Sequence, residues 1–305
     1  MNQPVLKLTN LSKTFKATKA VDKVDMTIQK GDIYGLIGKN GAGKTTLIRM
    51  ITSMSLPDQG EIQLFGETSR KGLQEARRRL GCVIEAPALY PNLSAAQNLE
   101  YYQRLRGIPD KDVVQKTLAI VGLEDVGKKK FKNFSLGMKQ RLGIAQALLT
   151  NPDFLILDEP INGLDPVGIV EMRELIKRLN EEMSITILIS SHLLTELSLV
   201  ATRYGIIHQG RMIKELTHNQ LEEACQNSLV FTVDNPAKAA AIFEGSLKTT
   251  KYKVTGSNEI RLFDRLDEAG EINYQLVTGG VRVTSVEEIK SSLEDYFVEL
   301  VKEGV

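Results

Sequence analysis

The sequence lacks a surplus of either charge: 39 lysines and arginines stand against 38 aspartates and glutamates, a formal net charge of +1. Without a basic excess nothing draws the chain electrostatically to DNA, RNA or anionic lipid, so nucleic acid is not expected as a partner. The densest basic run, Lys128 to Lys130, reads as a solvated loop. Cysteine is scarce as well. Cys82 and Cys225 stand far apart without metal-ligand spacing and read as buried thiols in a reducing compartment. Long apolar runs are missing, since stretches such as "ITILIS" fall far short of the roughly 20 residues that a bilayer span needs. The start, "MNQPVLKLTN", soon turns polar and carries no signal-peptide pattern. No internal repeat or low-complexity tract is apparent. These absences lead to the expectation of a cytoplasmic protein that meets a membrane only through a partner. What is present, 42% hydrophobic and 25% charged residues over 305 positions, suits a globular protein with room for more than one domain.

Short turn-bounded strands are expected in "VLKLTN", "KVDMTI", "DIYGLI" and "EIQLFGE", forming an antiparallel patch beside the strand that enters a glycine-rich loop. From about Leu89 to Leu149 the pattern is helical, and "LSAAQNLEYYQRLRG" ends at Gly107 ahead of Pro109. Buried parallel strands follow as "FLILD" (154–158) and "SITILIS" (184–190), on either side of the helical "VGIVEMRELIKRLNEEM". A hairpin, "YGIIHQGRMIKE", turns at His-Gln-Gly. Strands alternating with helices predict a mainly parallel sheet covered on both faces. Beyond residue 224 the segments "LVFTVD", "PAKAAAIFEG", "KYKVTG", "EIRLFD", "LDEAGEINYQLVTG" and "VRVTSV" spell β-α-β-β-α-β, the order of a small ferredoxin-like unit. The amphipathic "SSLEDYFVELVKEG" is expected as a terminal helix. This tail shows no catalytic constellation and is expected to regulate, dimerise or dock.

The stretch "YGLIGKNGAGKTTLIRM" (34–50) contains G-x-x-x-x-G-K-[ST] as "GKNGAGKT". Gly38, Gly41 and Gly43 permit dihedrals and close approaches that a Cβ would block. The N–H groups around Lys39, Asn40 and Ala42 can then form a nest for an anion at a helix start. In such a loop Lys44 reaches the β- and γ-phosphates, Thr45 offers its hydroxyl to Mg²⁺, and Thr46 contacts phosphate or caps the first turn. A second requirement, a carboxylate pair, is met by "FLILDEP" (154–160), an apolar strand ending in two acids. Asp158 would hold Mg²⁺ through water, and Glu159 would orient and deprotonate an attacking water. Adjacent acids in a strand face opposite ways, but Pro160 signals an exit from the strand, so both can reach one site.

Between and beyond these motifs lie "FSLGMKQR" (134–141), "NGLDP" (162–166) and "SSH" (190–192). The ordered set resembles the ATP-binding subunit of ABC transporters over nearly all of residues 5–215. The resemblance implies an α/β P-loop NTPase of ABC type, with a parallel-sheet core, an antiparallel β patch and a helical insertion, to which the element order beyond residue 224 adds a small α+β appendage. The implied domains are 1–222, with the insertion at about 88–150, and 225–305. It implies that Phe15 stacks on adenine, and that Ser135 and Gly137 contact the γ-phosphate of ATP held by the opposite subunit. Phe134, Leu136 and Met138 depart from the family's Leu-Ser-Gly-Gly-Gln pattern. Asp165 would help to link two subunits, expected as a homodimer, and His192 would contact the γ-phosphate and the attacking water. His208 and His218 lack such context and read as surface residues.

Where the family usually has glutamine, "GCVIEAPALYPNL" places Glu85, expected as a Mg²⁺-linked residue facing the membrane partner. The surrounding stretch is similar to ATPases of bacitracin and lantibiotic exporters. The implied function is an ATPase with ATP and Mg²⁺ as its nucleotide and metal. It would sit at the inner face of the cell membrane, power a separate permease and export a peptide antibiotic or similar compound. An importer or lipid-exporter ATPase, and a soluble regulator of a non-transport complex, are the alternatives.

Overall fold

Burial along the strands separates two kinds of sheet. Leu6–Phe15 alternates between buried and exposed side chains at its start, whereas Ile33–Ile37, Phe154–Asp158 and Thr186–Ser191 are buried at every position. Alternation is what an antiparallel strand with one wet face requires, and continuous burial is what a parallel strand between two layers requires. The computed structural model, which describes residues 3–289 and 293–303, contains both kinds. Its main sheet runs Leu80–Val83, Phe154–Asp158, Thr186–Ser191, Ile33–Ile37, Arg203–His208 and Arg211–Thr217. The first five are parallel and the last turns back antiparallel as a hairpin. The antiparallel patch orders Thr18–Ile28, Leu6–Phe15 and Gln59–Leu64.

Register decides where the chemistry sits. Ile37 pairs with Ser191, and Asp158 pairs with Ser190, so three parallel strands end at one edge. The glycine loop leaves that edge from Ile37 and leads into the helix Lys44–Ile51. Such carboxyl-terminal edges of open parallel sheets are where ligands bind in this class of fold. The core beneath is apolar and closely filled: Leu36, Leu47, Ile48, Ile51, Phe154, Ile156 and Leu188 are all buried.

Two helices of the insertion carry side-chain caps. Ser94 and Gln97 form a capping box at the start of Ala95–Leu105, satisfying two otherwise orphaned donors. Leu136–Leu148 is capped by Ser135 and packs against the outer strand Leu80–Val83. That outer strand was not anticipated from the sequence, and it corrects the reading of Cys82. An outer strand has a side without a neighbour, and Cys82 is exposed there, while Cys225 is half-buried. His218 is not a surface residue either. It is half-buried, with Nδ1 2.9 Å from the Tyr204 hydroxyl, and His208 is half-buried at its strand end.

Contacts divide the chain into two compact units after His218. The second has an antiparallel sheet ordered Tyr252–Val254, Glu259–Leu262, Ser228–Val233 and Val283–Ile289. The helices Pro236–Gly245 and Ala269–Thr278 supply Phe243, Ile272 and Leu276 to a core with Phe231, Ile260 and Leu262. A terminal helix spans Leu293–Glu303, while residues 291, 292 and 304 of the expected segment lie outside the described residues. Among the described residues, no helix is long and apolar enough to cross a membrane.

Candidate nucleotide-binding site

The loop at residues 38–43 folds as it does because side chains are missing where backbone must pass. A Cβ on Gly38 would lie 2.5 Å from the Ile207 carbonyl oxygen. Gly43, at φ +109°, would bring one 2.5 Å from the Ala20 carbonyl oxygen. At Gly38 collision alone excludes any other residue, whereas at Gly43 collision is joined by a left-handed dihedral. Gly43 caps the helix Lys44–Ile51 without a side-chain hydrogen bond, and Ala42 is buried beneath the loop. Helix-start N–H groups free of a side-chain cap attract an anion. Lys39, Asn40 and Gly41 form the exposed crest, and Thr46 is half-buried just inside the helix.

Lys44 is buried and its Nζ donates to the carbonyl of Gly38 at 2.6 Å and that of Lys39 at 3.4 Å. The same ammonium lies 3.1 Å from Glu159 Oε1. That oxygen is buried and receives no hydrogen bond, so the contact is an ion pair with an acceptor still free. Glu159 Oε2 lies 2.9 Å from His192 Nδ1. Glu159 therefore stands between a lysine and a histidine.

A backbone twist brings the two adjacent acids to one site. Glu159 adopts φ +52°, and its N–H donates to both the backbone oxygen and Oγ of Ser190, each at 3.1 Å. The left-handed residue is costly for glutamate and is held by those bonds. Asp158, still in the strand and buried, accepts from Thr45 Oγ1 at 2.9 Å and from Ser190 Oγ at 2.5 Å. Among the described residues no cluster of three histidine, cysteine or carboxylate side chains exists to chelate a metal. One hydroxyl and one carboxylate suit a hard cation that takes its remaining ligands from water and phosphate, as Mg²⁺ does.

The other predicted residues are placed apart. Ser135 Oγ accepts from Met138 N at 3.2 Å and Asp165 Oδ1 from Gly168 N at 3.0 Å, each capping its own helix. The two caps and Gly137 line one cleft of about 380 Å³. Phe15, at the end of its strand, leaves its ring half-exposed, with Lys13 Nζ 5.5 Å from the ring centre. Glu85 does not join Thr45 and Asp158 through any hydrogen bond. Its exposed carboxylate pairs with Arg49, four residues after Thr45 on the same helix. An available guanidinium in the loop's path pairs with this carboxylate.

Sequence reasoning missed Ser190 and Arg49. Ser190 was visible only as part of "SSH", and its double role depends on the register between strands far apart in the chain. Arg49 carried no signal beyond its position on the helix after the loop.

These elements define a P-loop nucleotide site on a parallel sheet flanked by an antiparallel patch. The family described as ABC transporter matches residues 21–162. The bacitracin transport ATP-binding protein BcrA of Bacillus licheniformis is 43% identical over 300 residues, covering 98% of each chain. The lantibiotic transport ATP-binding protein SrtF of Streptococcus pyogenes is 42% identical over 231 residues, covering 74% of this chain and 98% of its own. Among solved structures, a dimeric post-hydrolysis state of the ATP-binding cassette MJ0796 bound to ADP and Pi superposes with a TM-score of 0.63 at 27% identity. It covers 70% of this chain and 98% of its own. The chain belongs to the ABC transporter ATP-binding family and is an ATPase. Members of this family work with membrane permease partners.

Proposed function

We propose that the chain drives a separately encoded permease that exports a peptide antibiotic or similar compound, conferring resistance or immunity. The observation that carries the catalytic part is Glu159, set between Lys44 and His192 beside the Thr45–Asp158 pair. In this reading the loop N–H groups of residues 38–46 and Lys44 bind the triphosphate, and Phe15 stacks on the base. Mg²⁺, held by Thr45 and Asp158, would neutralise charge on the phosphate oxygens. Glu159 takes the proton from the water that attacks the γ-phosphorus, and the bond to the ADP oxygen breaks as the new oxygen–phosphorus bond forms. His192 orients Glu159 and touches the same water.

Ser135, Gly137 and Asp165 lie in a cleft of their own, which supports a site completed by a second copy of the chain. ATP would favour the closed pair and hydrolysis the open one, a cycle of differential affinity. Glu85, on its exposed loop, is a coupling residue towards the permease. Residues 1–222 form the ATPase domain, with its helical insertion at about 88–150. Residues 225–305 form a ferredoxin-like accessory domain, supported by the strand order 4-1-3-2 within β-α-β-β-α-β. The protein would lie at the inner face of the cell membrane. Expression of this chain together with a candidate multi-span permease tests the reading. Resistance to bacitracin or a lantibiotic should rise and should be lost on Lys44→Ala; unchanged susceptibility would remove the exporter assignment.

A further inference from the structure

Two helices begin at the cleft described above, and an ion pair joins them one to two turns further on. Arg141 lies six positions after the cap Ser135 (141 − 135), and Glu171 lies six after the cap Asp165 (171 − 165). Arg141 Nη2 is 3.5 Å from Glu171 Oε2. The two residues line both the 380 Å³ cleft and a neighbouring one of about 510 Å³, so they stand at the boundary between the two. Nearer the caps the contact is apolar: Leu136 packs over Gly163 and Leu164 over Gly137.

Arg141 is poorly served for a residue so enclosed. Its side chain is 21% exposed, and its buried Nε has no hydrogen-bond partner. Nη1 faces Gly122, where a Cβ would come within 3.4 Å. An unpaired buried donor on a guanidinium is costly, which leaves the Glu171 carboxylate as the charged partner described for this side chain.

We propose that Arg141 is a positioning residue: through Glu171 it sets the separation of the two helix starts, and so presents Ser135 and Asp165 together to the nucleotide of a second copy of this chain. The inference rests on the two-copy site proposed above. Apolar contact between leucines and glycines allows sliding, whereas a charged pair beyond the caps restricts it. Arg141 touches no residue of the phosphate loop among the contacts described, so its loss leaves nucleotide binding by the single chain intact.

The test uses the full chain carrying Glu159→Gln, with ATP-dependent dimerisation followed by sedimentation and nucleotide binding by fluorescent-ATP titration. Arg141→Met is expected to weaken dimerisation about tenfold, within the range for contacting residues, while single-chain affinity stays within about twofold. Arg141→Lys should recover most of the loss, and the exchange Arg141→Glu with Glu171→Arg should return to within about threefold of the parent. Dimerisation of Arg141→Met equal to the parent, or an exchange no better than the single variants, would overturn the proposal. If Arg141→Met does not fold, Glu171→Gln decides, because its half-exposed side chain tolerates the change. A tenfold loss there supports positioning and no loss refutes it. A Glu159→Gln parent that binds ATP yet stays monomeric would instead refute the two-copy site, and the positioning role with it.

Discussion

Replacing Glu159 by glutamine separates binding from chemistry, and the two should move in opposite directions. The amide keeps the side chain's shape but removes its charge and its basicity. Lys44 Nζ stands 3.1 Å from Glu159 Oε1, with side chains 6% and 20% exposed. At an effective dielectric of about 20, unit charges at that distance attract by about 5 kcal/mol before desolvation. Desolvation of both groups returns most of this, leaving a net of about 1 kcal/mol that holds Lys44 away from phosphate. Glutamine releases the lysine and removes a negative charge from the place where the γ-phosphate docks. ATP affinity should therefore rise by about fivefold, which is about 1 kcal/mol. Loss of the general base should lower turnover by roughly 10²–10⁴-fold. Equilibrium titration with fluorescent ATP and a phosphate-release assay measure the two effects separately. Weaker ATP binding would show that Glu159 does not restrain Lys44, and wild-type turnover would remove it as the base.

Four further outcomes follow from particular contacts. Lys44→Ala should abolish detectable nucleotide binding, because the ammonium that bridges the loop carbonyls and faces the acid pair is lost; retained fluorescent-ATP binding would contradict it. Ser190→Ala removes a hydrogen bond to the buried Asp158 carboxylate and one accepted from Glu159 N. It should destabilise the protein by about 1.5–3 kcal/mol and raise the Mg²⁺ needed for half-maximal ATPase, read by denaturation and by metal titration. Phe15→Ala should weaken nucleotide affinity by about 1–3 kcal/mol if its half-exposed ring stacks on the base, measured by calorimetry. Gly205→Ala would drive a methyl into the Tyr34 hydroxyl, which burial, with Glu215 beside it, pushes well above the usual phenol range and so keeps protonated as a donor to Glu215. The cost should be about 1–3 kcal/mol, seen as a lower melting midpoint with ATP affinity unchanged.

The amino-acid sequence by itself determined the parts whose physics is local. A phosphate loop needs glycines where backbone passes close to backbone, and those needs are written at consecutive positions from Gly38 to Thr45. The helix caps at Ser94, Ser135 and Asp165 are equally local, as is the continuous apolar character of the strand leading to Asp158. The order β-α-β-β-α-β in the second unit was legible from the same periodicities.

Only the tertiary structure decided which of these local pieces meet. Thr45 and Asp158 are 113 positions apart, and Glu159 and His192 are 33 apart; their contact depends on the register of parallel strands, which a continuous apolar run does not specify. The positive φ of Glu159, which turns two neighbouring acids into one site, is held by Ser190 from another strand. Glu85 shows the same limit, because its pairing with Arg49 depends on how its loop and the helix Lys44–Ile51 meet in space. Periodicity reports which face of an element is buried, and long-range pairing energies alone select the partner across that face.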